Sequence, residues 1–497
     1  MSRPLAHNAM ANILQMIASA VLLFILYRYI NARLGTAALG VWSVVLATVS
    51  ASRLATFGLG ASVTRFVALY LARSRPDDAG QVIQTASLTL MVLLGLVLPL
   101  LYDPFHRLLP HLFDGQHLAQ ARSLLPYSLV ALWFAISAAV FQSAFDGCQR
   151  MDLRAGLMIG GQVLMLAVAL WLVPRLGLVG LAWAQIVQGL FLLIGGWLLL
   201  RRVLVDLPWA PWYWSWGKLR EMLGYGTNVQ ATGVLMMLFD PVTKALMARF
   251  GGAEAAGYFE MANQVVLKVR SVIVAANQAV VPKVAELVET SPERMHSFYK
   301  RNMRILTFVA LPTFALLLVW SGAVSWLLLG RVESEFIALI HAAAAGWFVN
   351  LFGVPAYFDN LGRGSVGWNT LSHATTGVIN GALGWWLGSN FGAEGIAWAY
   401  ALALMVGSAV LVLVYQIREA ISLRALGLQV STAMAIASAI AVTVSNWLWA
   451  GGLGDDPLLL CVSAIGLSLV VAGATWFHPS RREIWAWASP VLKGMRS

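Results

Sequence analysis

Long apolar stretches dominate this chain, and that feature leaves it few places to fold other than a lipid bilayer. Fourteen runs of about twenty mostly apolar residues can be marked off. They lie roughly at 9–30, 36–57, 81–101, 124–145, 155–174, 177–200, 221–248, 254–281, 302–329, 336–358, 368–389, 392–416, 426–450 and 457–478. A helix rises about 1.5 Å per residue, so about 20 residues cross a hydrocarbon core of about 30 Å. The runs are long and do not alternate, which favours helices over a barrel. Composition agrees: 59% of the 497 residues are hydrophobic and 11% are charged, against about 45–50% and 25% in soluble proteins. A soluble enzyme, a disordered chain and a secreted disulfide scaffold are excluded. Cys148 and Cys461 stand in or beside apolar runs, away from any metal-type spacing. The first run carries Asn12 and Gln15 and reads as a span, not as a cleavable leader.

The net charge is +11. In a soluble chain that could indicate nucleic acid; here it reads as the inside-positive bias of short loops, and no nucleic-acid partner is expected. With the N-terminus inside, about 22 Lys and Arg fall on one side and about 7 on the other. Both termini are therefore expected in the cytoplasm, with Trp209, Trp212, Trp214 and Trp216 forming an aromatic belt at that interface.

The sequence repeats itself. Residues 32–42 (ARLGTAALGVW) match 248–259 (ARFGGAEAAGYF), 176–184 (LGLVGLAWA) match 391–399 (FGAEGIAWA), and 145–150 (FDGCQR) match 358–363 (FDNLGR). The offsets are 216, 215 and 213. The unit is six helices long, so both copies point the same way. The expected architecture is all-α: a six-helix lobe over 1–205, a cytoplasmic interfacial linker over 206–220, a second six-helix lobe over 221–420, and two extra helices with a basic tail over 421–497. Two parallel lobes with short loops are a transporter plan, with cargo exposed to each side in turn. The longest outer loop, about 102–123, carries His106, His111 and His117 at spacings that suit no metal. Gly362–Gly367 fits G-x-G-x-x-G but lies between spans, so a dinucleotide site is rejected, and there is no Walker motif. No cofactor, metal or catalytic residue is expected.

Polar groups inside spans are costly and therefore informative. Asn8, Asn12, Gln15 and Ser19 form one helical stripe in the first span; Asn369, His373, Thr376 and Asn380 repeat its spacing in the eleventh. Such stripes line a cavity or bond neighbouring helices. The eighth span carries Glu260, Asn263, Gln264, Lys268, Arg270, Ser271, Asn277 and Gln278, and the seventh carries Asp240 and Lys244. Folding those two spans as a hairpin brings Lys244 level with Glu260 and Asp240 near Lys268, so ion pairing or ion coupling is open to the two acids. Arg53, Lys244, Lys268 and Arg270 still outnumber Asp240 and Glu260, and a cavity with that excess suits a phosphate or diphosphate. Arg53 stands about a turn from its span's end and could instead snorkel. Asp146 with Arg150, and Asp359 with Arg363, are i, i+4 pairs that either cap helix ends or gate the cytoplasmic side.

The stretches ARLGTAALGVW, FGLGASVTRFVALYLAR, FDGCQRMDLR and GYFEMANQVVLKVRSVIVAANQAVVPKVAEL resemble Wzx-type polysaccharide-unit flippases. These share the MOP superfamily with MATE drug exporters and MurJ-type lipid II flippases. The resemblance covers residues 5–420. It implies a cationic central cavity lined by Arg53, Lys244, Lys268 and Arg270, and a polyprenyl-diphosphate-linked oligosaccharide as cargo. It also implies a bacterial inner membrane, coupling to H⁺, Na⁺ or the membrane potential, and other polysaccharide assembly proteins as partners. Within the first span no basic residue precedes Arg28, a departure from the MurJ pattern that points to a glycan other than lipid II. A MATE-like cation-coupled exporter is the alternative.

Overall fold

The computed structural model describes residues 3–205, 207–278, 284, 286–288, 290–365, 367–450 and 456–481. Among them there is no strand. The helices in chain order are α1 (Arg3–Leu34), α2 (Thr36–Ser50), α3 (Leu59–Ala72), α4 (Pro76–Leu108), α5 (Gly115–Gly147), α6 (Met151–Leu176), α7 (Leu178–Val203), α8 (Trp216–Leu246), α9 (Gly252–Gln278), α10 (Met295–Val319), α11 (Ser321–Leu329), α12 (Ser334–Leu351), α13 (Val354–Gly362), α14 (Gly367–Arg418), α15 (Thr432–Ala450) and α16 (Pro457–Trp476).

Eleven helical segments among the described residues are long and apolar enough to cross a bilayer. One of them, α14, is two helices joined at Gly392, whose φ of 60° and ψ of −140° no helix contains. The break falls between the spans expected at 368–389 and 392–416. Helices α8 and α9 have spanning length, at 31 and 27 residues, but their polar groups keep them out of the apolar set. The outer loop expected over 102–123 is mostly helix: α4 runs to Leu108 and α5 starts at Gly115. The second span breaks into a 3₁₀ turn, Ala51–Thr56, and the chain then re-forms as α3.

The sequence repeat is visible in the backbone. Gly35 (φ 83°, ψ 167°) and Gly252 (φ 84°, ψ 176°) turn the chain into α2 and α9 in the same way. Gly177 (φ 59°, ψ −134°) likewise matches Gly392. Only glycine adopts these angles without strain, so each repeat keeps it there.

The chain forms two compact units, Met1–Gly257 and Tyr258–Ser497. In the first, α5 packs against α2, α3, α4 and α7, and α6 packs against α1 and α7. Helix α8 is fastened to this unit. A Cβ on Gly226 would lie 2.5 Å from the Phe57 carbonyl oxygen, and the Ser62 hydroxyl donates to the Met222 carbonyl at 2.7 Å. The division between the two compact units falls inside α9. In the second unit, α12 packs on α14, and α15 and α16 pack on α10. Trp320 Nε1 donates to Ser468 Oγ at 2.9 Å, and the Trp449 ring fills the place a side chain at Gly322 would need. The two helices after residue 420 are thus part of the second unit's core.

Candidate functional site

Helix α9 concentrates polar groups, and tertiary packing sorts them. Asn263 is buried and faces the second unit's interior, where its Oδ1 accepts from Tyr400 OH at 2.9 Å and from Trp347 Nε1 at 3.3 Å. Gln264 donates along the helix to Glu260 Oε1 at 3.1 Å, and Asn277 donates to its own helix at Ile273 O at 3.2 Å. Lys268 is half-buried and has no carboxylate within ion-pair distance among the described residues.

Arg270 is the most informative residue of the set. Its Nη2 donates to Asn350 Oδ1 at 2.9 Å, and its Cζ lies 4.3 Å from the centroid of the Trp347 ring. Asn350 is oriented in turn by donating to Ser408 Oγ at 2.7 Å. Trp347 is fixed by donating to Tyr400 OH at 2.9 Å. Neither the amide nor the aromatic face carries a negative charge to offset the guanidinium. The Nε donor of Arg270 is buried and has no hydrogen-bond partner among the described residues. Buried donors are almost always paired, so this one stands out on α9.

The other expected basic residues differ. Lys244 is buried and pairs with Asp240 at 2.7 Å, one turn back on its own helix. Arg53 is exposed and sits in the 3₁₀ turn Ala51–Thr56, about one turn before that helical span ends at the left-handed Phe57.

Asn12 and Ser19 of the first stripe and Asn369 of the second bond neighbouring helices. Asn12 Oδ1 accepts from Arg154 at 2.8 Å and Ser19 Oγ donates to Gln162 at 2.8 Å, which ties α1 to α6. Gln15 is half-buried, and the side chain of Asn8 lies outside the described residues. Asn369 is buried between Asn360 Nδ2 at 3.0 Å and the Tyr357 carbonyl at 3.1 Å. Thr376 bonds the Ser372 carbonyl at 2.9 Å and Asn380 is buried. His373 is half-buried, its ring 5.7 Å from that of Tyr357.

The charged pairs at the helix ends are corrected in one repeat and kept in the other. Asp146 does not pair with Arg150. Gln149 takes a φ of 58° between α5 and α6, so the i, i+4 register is lost. Asp146 meets Arg154 at 2.6 Å, and Arg150 turns to Asp152 at 2.9 Å. In the second repeat Arg363 continues from α13 in helical geometry, and it meets Asp359 at 2.8 Å and Glu419 at 3.0 Å. Burial pushes the Asp359 carboxyl above its usual range, against the pull of Arg363. Arg154→Ala strands Asp146 and Asn12 together and is expected to destabilise the first unit by about 1–3 kcal/mol. Arg150→Ala removes an exposed pair and is expected to change stability by less than about 0.5 kcal/mol. Thermal unfolding in detergent decides, and the reverse ranking would restore the Asp146–Arg150 reading.

Residues 85–337 match the model of the family described as "Polysaccharide biosynthesis protein". The chain belongs to that family. No curated protein matches the chain. The chain is similar in fold to the lipid II flippase MurJ in an inward closed conformation. The TM-score is 0.71 at 14% identity, over 96% of this chain and 99% of that one. An inward-facing multidrug resistance MATE transporter of the MOP superfamily gives 0.66 at 18% identity, over 80% and 94%. A MOP superfamily transporter from Pyrococcus furiosus, described by the reverse polarity of its binding pocket, gives 0.58 at 15% identity, over 84% and 94%. The fold is thus the one seen in MurJ and MATE transporters.

Sequence reasoning missed Trp347, Asn350, Ser408 and Tyr400. Asn350 was readable as an isolated amide within the span at 336–358, which is itself an intramembrane polar signal.

Proposed function

We propose that this protein is a flippase, not an enzyme. Its cargo is a polyprenyl-diphosphate-linked oligosaccharide, moved by alternating access from the inner to the outer leaflet of the bacterial cytoplasmic membrane for surface or exopolysaccharide synthesis. The observation that carries the reading is Arg270: a guanidinium in the eighth expected span with no carboxylate against it among the described residues and a buried Nε left over there. A diphosphate offers several acceptor oxygens to such a group, and Lys268 adds a second charge nearby on α9. A cationic drug would meet repulsion there. Arg53 is the corresponding candidate in the first unit. Family membership supports a glycan pathway, and a lipid II flippase among the structural relatives is in keeping with a lipid-linked cargo.

The diphosphate docks on the basic residues while the prenyl tail stays in lipid. Two negative charges moving outward through an inside-negative potential of about 150 mV gain at most about 7 kcal/mol. Coupling to H⁺ or Na⁺ through Asp240, Glu260 or His373 is the further possibility that ion-replacement experiments address.

Deleting the gene and analysing lipid extracts by mass spectrometry tests the proposal. A polyprenyl-diphosphate oligosaccharide should accumulate while one surface polymer disappears. Unchanged lipid-linked sugar and polymer, with altered resistance to cationic dyes, would favour a MATE-like exporter of another solute.

A further inference from the structure

Residues 204–205 and 207–215, between α7 and α8, hold no regular helix, and with Trp216 at the start of α8 they present aromatic rings outward. Trp209 is 79% exposed and Trp212 76%, with Trp214 and Trp216 also exposed. The exposure is built in. Gln84, buried in α4, accepts from the backbone N–H groups of both Trp212 and Tyr213 at 3.1 Å. Trp197 Nε1 donates to the Trp209 carbonyl at 2.9 Å, and Trp214 Nε1 donates to Thr89 Oγ1 at 3.0 Å. A segment tied at both ends and in its middle holds its rings out in a fixed pattern.

Charge surrounds those rings. Between 201 and 221 the sequence carries Arg201, Arg202, Lys218 and Arg220 against Asp206 and Glu221, and the Glu221 carboxylate accepts from Tyr70 OH at 2.9 Å. Arg201 donates to the Leu207 carbonyl at 3.2 Å and lies 4.0 Å over the Trp209 ring, so cation and aromatic plate act as one unit. Lys218 is committed to Asp78 at 2.6 Å, and Arg75 holds the other oxygen of that carboxylate at 2.7 Å. Asp78 is therefore spent on two cations, while Arg202 and Arg220 are exposed and make no bond within the segment.

We propose that the 201–220 segment is a binding site for anionic phospholipid, in which the fixed tryptophans seat at headgroup depth and Arg201, Arg202 and Arg220 take the headgroup phosphates. Indole rings favour the boundary between headgroups and acyl chains. Guanidinium groups bind phosphate oxygens in pairs. The segment follows a helix apolar enough to span, which places it at that boundary. Its excess positive charge selects an anionic headgroup over a zwitterionic one. The site is separate from Arg270 and does not depend on the cargo.

The test is native mass spectrometry of the full chain released from nanodiscs holding equal phosphatidylglycerol and phosphatidylcholine. The wild type should retain phosphatidylglycerol preferentially. R202Q/R220Q, which breaks no hydrogen bond of the segment, should reduce the preference about fivefold for each charge removed. W209A/W212A should lower retention of both lipids. Equal retention of the two lipids by the wild type would overturn the proposal, and so would an undiminished preference in R202Q/R220Q.

Discussion

Lys268→Ala/Arg270→Ala, at matched expression, is expected to reduce surface polymer at least a hundredfold while lipid-linked oligosaccharide builds up in the membrane. A hydrogen bond to a charged group contributes about 1.5–3 kcal/mol, so losing two such interactions with a diphosphate costs about 3–6 kcal/mol. That range is about two to four decades in rate, at about 1.4 kcal/mol per decade. Arg270→Lys separates charge from shape. It keeps the cation but loses the plane that stacks at 4.3 Å on Trp347 and the fork that reaches Asn350 while leaving Nε over. About a tenfold loss is expected for it. Asn350→Leu should follow Arg270→Lys, because the amide only orients the guanidinium. Normal polymer in the double alanine variant would sink the assignment of the diphosphate site, whatever the deletion strain shows.

The class of fold was readable because the membrane imposes a length and a hydropathy on each crossing, and because the repeat motifs sit where the backbone turns. The equal angles at Gly177 and Gly392 explain why LGLVGLAWA and FGAEGIAWA look alike. What eluded the sequence was pairing across helices. The spacing of Asn12 and Ser19 shows a common face but not that α6 lies against it, so glue and cavity lining look identical in one dimension. Asp146 and Arg150 have ideal helical spacing, and one positive φ at Gln149 cancels it. Helix α3 was invisible as a separate element. Its start depends on the 3₁₀ break at Ala51–Thr56 and on the backbone of Gly226 pressed against Phe57 and Gly58. Polar content also misled in a useful direction: the groups that weakened 254–281 as a span are those that place Asn263, Lys268 and Arg270.

Gly40→Val is expected to leave little folded protein. The reason lies in the first repeat motif, whose two copies meet. A Cβ on Gly40 would lie 1.8 Å from the Ala253 carbonyl oxygen and 2.8 Å from the Gly257 nitrogen. A Cβ on Gly257 would lie 2.2 Å from the Thr36 carbonyl oxygen. These are backbone atoms of α2 and α9, which cannot swing aside as a side chain can, so the helices must move apart. In lipid, helices associate through such close packing and not through a hydrophobic drive. Overpacking a core costs about 1–3 kcal/mol when side chains can adjust, and a backbone clash lies at or above that upper end. About 3 kcal/mol would lower the unfolding midpoint by roughly 3–6 °C in a unit or chain of this size. Even Gly40→Ala should show this in detergent. Gly381→Ala, where a Cβ meets nothing within 4 Å, should not. Gly40→Ala and Gly257→Ala combined should cost less than the sum of the two, because either one already forces the separation that the other needs. Additive losses would mean that the two contacts yield independently, and the matching motifs would then not act as one interface.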